Sequence, residues 1–113
     1  MALSGQVALI TGASRNPGLG RTIALALAAK GVNVVLNGRT RKDVLDGNAA
    51  EARARGVKAL SYLADITDPK RVEAMVTAAL GEFGRIDILV NCAGAHGDAG
   101  ILDMTLDEWK TVT

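Results

Sequence analysis

The feature that most constrains this chain is an alternation of two periods. Short apolar runs, rich in β-branched residues, take turns with longer stretches of helical spacing, and the first run ends on a glycine-rich loop. QVALIT at 6–11, VNVVLN at 32–37, VKALSYL at 57–63 and IDILVN at 86–91 read as four strands. Residues 19–30 are dominated by Ala, Leu and Ile and stop at Gly31, a natural first residue beyond a helix. Residues 40–55 carry Val44, Leu45, Asn48, Ala49 and Ala52 at helical spacing and stop at Gly56. Gly47 weakens that helix by about 1 kcal/mol relative to alanine. The third helix has the clearest start, with Asp68 as N-cap and Pro69 in the first position, where a missing N–H costs nothing. Val72, Met75, Val76, Ala79, Leu80 and Phe83 then form one apolar stripe, closed by Gly84. A small-residue loop, CAGAHGDAG at 92–100, follows the fourth strand, and Thr105-x-x-Glu108 is a capping box that opens a last helix. The order β-α-β-α-β-α-β-(α) predicts an α/β fold, a parallel sheet with right-handed crossovers and helices on both faces.

Composition narrows the function classes. With 113 residues there is room for one domain or part of one. Thirteen Lys and Arg against 12 Asp and Glu leave a net charge of +1, which gives no basic footprint for nucleic acid. Aromatics at 3% are too few for a base-stacking platform. One cysteine and one histidine supply neither a disulfide framework nor a zinc set. No apolar run approaches the ~18 residues of a membrane span. The opening MALSGQVALITGA lacks a charged segment followed by a long apolar one. The expectation is a soluble, cytoplasmic protein that touches neither nucleic acid nor membrane.

The loop TGASRNPGLG at 11–20 lies between the first strand and the first helix. Glycines there allow a tight turn and a close approach of ligand to backbone. The helix start offers free N–H groups and a positive dipole end, which suit a pyrophosphate. Glycine clusters also serve plain turns, but this placement in a parallel α/β pattern favours a dinucleotide site. Such folds usually carry an Asp or Glu near the end of the second strand to bind the ribose 2′-OH of NAD. This chain has no acid from Val32 through Arg41 and has Arg39 and Arg41 instead, with Arg15 in the glycine-rich loop. An acid would repel a 2′-phosphate, whereas a guanidinium binds it through charge-assisted forks. Arg15 and Arg39 are therefore assigned to a 2′-phosphate, and NADP is favoured over NAD. Arg41 reads as the start of a solvated helix.

At this point the sequence resembles the short-chain dehydrogenase/reductase family, across essentially its whole length and in the right order. TGASRNPGLG resembles the family's Thr-Gly-x-x-x-Gly-x-Gly loop. LADITD at 63–68 resembles the Asp-Val/Ile after the third strand, and LVNCAG at 89–94 the Asn-Asn-Ala-Gly after the fourth, with Cys92 in place of the second Asn. LDMTLDEWKTVT at 102–113 resembles the approach to the helix that carries a catalytic Asn. The resemblance implies a Rossmann-type parallel sheet in which Gly12, Gly18 and Gly20 shape the phosphate turn. Ser14 and Arg15 would lie near the adenosine phosphates, and the N–H of Leu19 would face the pyrophosphate. Asp65 would accept from the adenine amino group, and the backbone of Ile66 would meet the ring edge. Asn91, Ala93 and Gly94 would lie along the cofactor ribose, with Asn91 also bracing the sheet.

Two departures stand out. Asn16-Pro17 looks like a two-residue insertion, giving five residues between the first two glycines instead of three. It would either bulge away from the phosphates or reach further round the 2′-phosphate. The second departure concerns catalysis, which the family performs with a Ser and a Tyr-x-x-x-Lys. Here the sole tyrosine is Tyr62, followed four residues later by Ile66, so no catalytic residue is assigned. Residues 1–113 read as the N-terminal, cofactor-binding part of a single domain, with IDILV left as an open apolar edge. His96 reads as a solvated loop residue, Cys92 as a small buried apolar one and Trp109 as a packing anchor. The resemblance implies a parent enzyme, commonly a dimer or tetramer, that interconverts a ketone and a secondary alcohol with NADP. It is broadly similar to the 3-oxoacyl-thioester reductase branch. The fragment itself is expected to be inactive. Competing readings are a non-catalytic NADP-sensing or interaction module on the same fold, and a nucleotide-free flavodoxin-like scaffold.

Overall fold

Alternation along a strand sends successive side chains to opposite faces, and in this chain both faces are apolar. The computed structural model describes residues 3–92 and the backbone of residues 102–103. It contains β1 (Val7–Thr11), α1 (Leu19–Ala29), β2 (Asn33–Gly38), α2 (Lys42–Arg53), β3 (Ala59–Leu63), α3 (Pro69–Phe83), β4 (Ile88–Asn91) and β5 (Leu102–Asp103). The sheet order is β3-β2-β1-β4-β5. The first four strands are parallel, as predicted, and β5 runs antiparallel to β4.

Ala8 and Ile10 of β1 join Val34 and Leu36 of β2 in one core beneath α1 and α2, where Ala24, Leu25, Ala28, Leu45, Ala49 and Ala52 complete it. Val7, Leu9 and Val35 face the other way and pack with Val72, Met75 and Ala79 of α3 and with Leu89 of β4. β1 is buried along its whole length because it has a strand on each side and helices on both faces.

α3 begins as expected. The Asp68 carboxylate accepts from the Lys70 N–H at 3.0 Å, Pro69 follows it, and Gly84 closes the helix in the left-handed region at φ 77°. Leu80 corrects the predicted stripe, because it is exposed. Eight residues past Val72 lies about 80° round the helix, at the margin of the buried face. The second helix starts at Lys42 and not at residue 40, because Arg41 takes the left-handed conformation at φ 59° and ends the turn that leaves β2.

The open edge expected along IDILV is corrected at its carboxyl end. Val90 pairs with Asp103 and Asn91 with Leu102, so the chain itself supplies partners for unpaired strand groups. The capping box at Thr105 and the anchor Trp109 lie outside the described residues. Among the described residues no helix is long and apolar enough to cross a membrane.

The sheet fixes where a ligand can lie. Connections leave β1 toward β2 on one side, while β4 adds on the other, so the order reverses between β1 and β4. A crevice opens beyond the carboxyl ends of the strands at such a switch point.

Candidate functional site

The loop at this switch point is shaped by contacts too close for side chains. Gly12 turns the chain off β1 at φ 64°. Ala13 is buried and donates its N–H to the Asn37 carbonyl at 2.8 Å, which draws the loop across the end of β2. There Ser14 lies directly over Gly38. A Cβ on that glycine would stand 2.6 Å from the Ser14 Cβ and 2.8 Å from its hydroxyl. The start of α1 presses equally hard on the loop, since a Cβ on Gly20 would stand 2.9 Å from the Gly12 carbonyl oxygen and 3.0 Å from the Ala13 Cα.

Gly18 is the N-cap of α1, in extended conformation, and a Cβ there would stand 2.7 Å from the Arg15 Cβ. Residues 15 and 18 therefore close upon each other. Asn16 and Pro17, joined by a cis peptide bond, project outward and are exposed. The two extra residues lengthen the loop without separating its ends. The first turn of α1 has no acidic residue and no side-chain cap, so no side chain of that turn offsets the positive end of the helix dipole. Leu19, at this mouth, is 48% exposed.

The ends of β2 and β3 supply the next residues. Arg39 is exposed and follows Gly38 directly. Asn37 is buried and its amide donates to the carbonyls of Tyr62 at 3.1 Å and Ala64 at 3.2 Å, which locks the two strand ends together. Asp65 comes next, and its Oδ1 accepts from the Thr67 hydroxyl at 2.7 Å and from the Thr67 N–H at 2.9 Å. The Thr67 hydroxyl, then the Thr67 N–H, and further off the Arg39 charge, hold the Asp65 carboxyl below the usual carboxylate range. It is thus an ionised acceptor. Ile66 is half-buried against the α3-side core. Arg41, at the start of α2, is exposed.

At the end of β4, the Thr11 hydroxyl donates to Asn91 Oδ1 at 2.8 Å and accepts from the Cys92 N–H at 3.1 Å. This ties the last residues of β1 and β4 at the switch point. Cys92 is buried, and burial pushes its thiol up. Ala93, Gly94 and His96 lie outside the described residues.

The fold thus gathers Gly12, Ser14, Arg15, Gly18, Leu19, Gly20, Arg39, Asp65, Ile66 and Asn91 along the carboxyl edge of the four parallel strands. Asn37 and Gly38 on this edge, and Asn48 of α2 beneath the loop, were not assigned to a site from the sequence. The signals were present, since Asn37 and Gly38 break an apolar strand and Asn48 is a polar residue on the apolar face of its helix.

A family profile described as short chain dehydrogenase matches residues 6–113. The chain belongs to this family. Among curated relatives, the 3-oxoacyl-[acyl-carrier-protein] reductase of a Synechocystis strain is 42% identical over 98% of this chain and 44% of its own length. The glycine betaine reductase of Emericella nidulans is 44% identical over 96% of this chain and 8% of its own. Among solved structures, NAD+-bound xylitol dehydrogenase matches with a TM-score of 0.72 and 35% identity, over 79% of this chain and 33% of that one. The NAD-bound short chain dehydrogenase of Mycobacterium paratuberculosis matches with a TM-score of 0.77 and 28% identity, over 84% and 39%. The chain spans less than half the length of each. As a short-chain dehydrogenase sequence it carries the 3-2-1-4 strand order and the glycine-rich turn at the switch point.

Proposed function

We propose that residues 1–113 are the N-terminal, cofactor-binding part of a Rossmann domain. In our reading it belongs to an NADP-dependent oxidoreductase that interconverts a ketone and a secondary alcohol. The observation that carries the reading is the contact of Ser14 with Gly38, which brings the loop after β1 against the residue before Arg39. A 2′-phosphate at that junction would meet the Arg39 guanidinium and the Ser14 hydroxyl, with no carboxylate from Val32 through Arg41 to repel it. Both solved relatives named above hold NAD, and charge at this junction is what would set this chain apart from an NAD binder.

In this reading Gly12, Gly18 and Gly20 let the backbone approach the diphosphate, with the Leu19 N–H directed at it, while Arg15 lies near the adenosine phosphates and joins Arg39 at the 2′-phosphate. Asp65, ionised, accepts from the adenine amino group, and Ile66 lies at the ring edge. Asn91, Ala93 and Gly94 line the cofactor ribose. The bound dinucleotide supplies hydride chemistry, and this chain's residues hold and orient it. The substrate is a small carbonyl or alcohol. The parent protein is a cytoplasmic homodimer or homotetramer, soluble and engaging neither nucleic acid nor membrane.

Calorimetric titration of the chain with NADP and NAD tests this. NADP is expected to bind at least tenfold more tightly, and Arg39→Asp to reverse the order, a swing on the scale of about 1.5–3 kcal/mol for a charge-assisted pair. Retention of NADP preference by that variant would remove Arg39 from the phosphate site, and binding of neither nucleotide would refute the whole reading.

A further inference from the structure

Asn48 stands in the middle of α2, on its buried face, at 1% exposure. It donates both amide hydrogens to carbonyls of the glycine-rich loop, those of Ala13 at 2.8 Å and Arg15 at 3.0 Å. These two acceptors fix the orientation of the amide, because only its nitrogen can serve them. Its Oδ1 is left buried with no hydrogen-bond partner. An orphaned acceptor in a core is costly, and an apolar residue would fill the position without it. The asparagine is therefore explained by what it donates to.

Both carbonyls belong to the stretch that must present N–H groups to an anion. A backbone that offers its amides to a phosphate has to turn its carbonyl oxygens elsewhere, because those oxygens repel it. Asn48 collects two of them on one side of the loop. The second, Arg15, immediately precedes the outward-projecting Asn16 and Pro17 and touches Gly18. We propose that Asn48 is a positioning residue for diphosphate binding: it anchors the lengthened loop from beneath, so that the carbonyls of Ala13 and Arg15 face α2 and the amides beyond Ala13, whose own N–H is held by Asn37, are left to the nucleotide. The inference rests on the dinucleotide reading above and adds a specific residue to it, from the helix beneath the loop.

The test is calorimetric titration of the 113-residue chain and its Asn48→Ala variant with NADP, beside hydrogen exchange of the ligand-free proteins. Loss of two positioning bonds predicts binding about tenfold weaker. It also predicts faster exchange of the Ala13 amide, which the Asn37 carbonyl holds at 2.8 Å, while Leu9 and Val35 in the sheet keep their protection. Asn48→Ser retains one donor on a shorter arm and should fall between the two, and it serves alone should the alanine variant not fold. Unchanged NADP affinity in the variants would overturn the proposal. So would a loss of affinity accompanied by equal loss of protection at Leu9 and Val35, which would make Asn48 a merely structural residue. Failure of the wild-type chain to bind NADP would overturn the dinucleotide reading itself, and this inference with it.

Discussion

Gly20 illustrates how the site depends on backbone meeting backbone. A Cβ there would lie 2.9 Å from the Gly12 carbonyl and 3.0 Å from the Ala13 Cα, and neither atom can swing aside as a side-chain tip could. Gly20→Ala is expected to force α1 and the loop apart, costing about 1–3 kcal/mol as overpacking does. A lowered urea midpoint with unchanged slope would register it, and NADP binding should weaken in parallel. A variant as stable as wild type would show that the loop yields at no cost. The glycines were legible in the sequence because their chemistry is local: their spacing, right after a strand, is itself the signal. Asn37 and Asn48 were not. Asn48 reaches carbonyls 33 and 35 residues away in sequence, and Asn37 reaches 25 and 27. Spacing within one helix or one strand carries no trace of such partners.

At the scale of elements, helix existence followed from caps and periodicity, while boundaries followed from contacts. α3 is legible end to end because Asp68, Pro69 and Gly84 each act on the local backbone. α2 begins later than its composition suggests, since the left-handed Arg41 intervenes, and β5 is a pairing with β4 that no local pattern announces. Two helices also carry a glycine with no structural task. A Cβ on Gly47 in α2 or on Gly81 in α3 would meet nothing within 4 Å, and neither residue has positive φ. Gly47→Ala and Gly81→Ala are each expected to stabilise the chain by about 0.5–1 kcal/mol, through helix propensity and a less flexible unfolded state. Chemical denaturation would show a raised midpoint for each and near-additive gains for the pair, which lie on opposite faces of the sheet. No gain at Gly47 would mean that the helix uses the glycine in a way its open surroundings do not reveal.

Across the whole molecule, holding a nucleotide and carrying out a reaction on it are separable tasks, and in the proposed reading the described residues bear on the first. The glycine-rich loop, Arg39, Asp65 and Asn91 lie along one edge of the sheet, built by four strands in the order 3-2-1-4. A proton donor for a carbonyl oxygen is another matter. The chain's sole tyrosine, Tyr62, lies in β3, the outermost strand on the side away from β4. It is half-buried, packs against the α3-side core, and its carbonyl is held by Asn37. Four residues on stands Ile66 and not a lysine. Positioned general acids typically supply about 10²–10⁴-fold of rate, and the Tyr-x-x-x-Lys that would supply one in the proposed reading does not occur in residues 1–113. The purified chain is therefore expected to bind NADPH yet leave it unoxidised in the presence of small ketones, at the rate of a protein-free control. Tyr62→Phe should bind NADPH as wild type does, separating this tyrosine from the cofactor site. Absorbance of the reduced nicotinamide gives the measurement directly, and oxidation above the control that disappears in Arg39→Ala would show that this chain performs chemistry with residues other than those a carbonyl reduction requires.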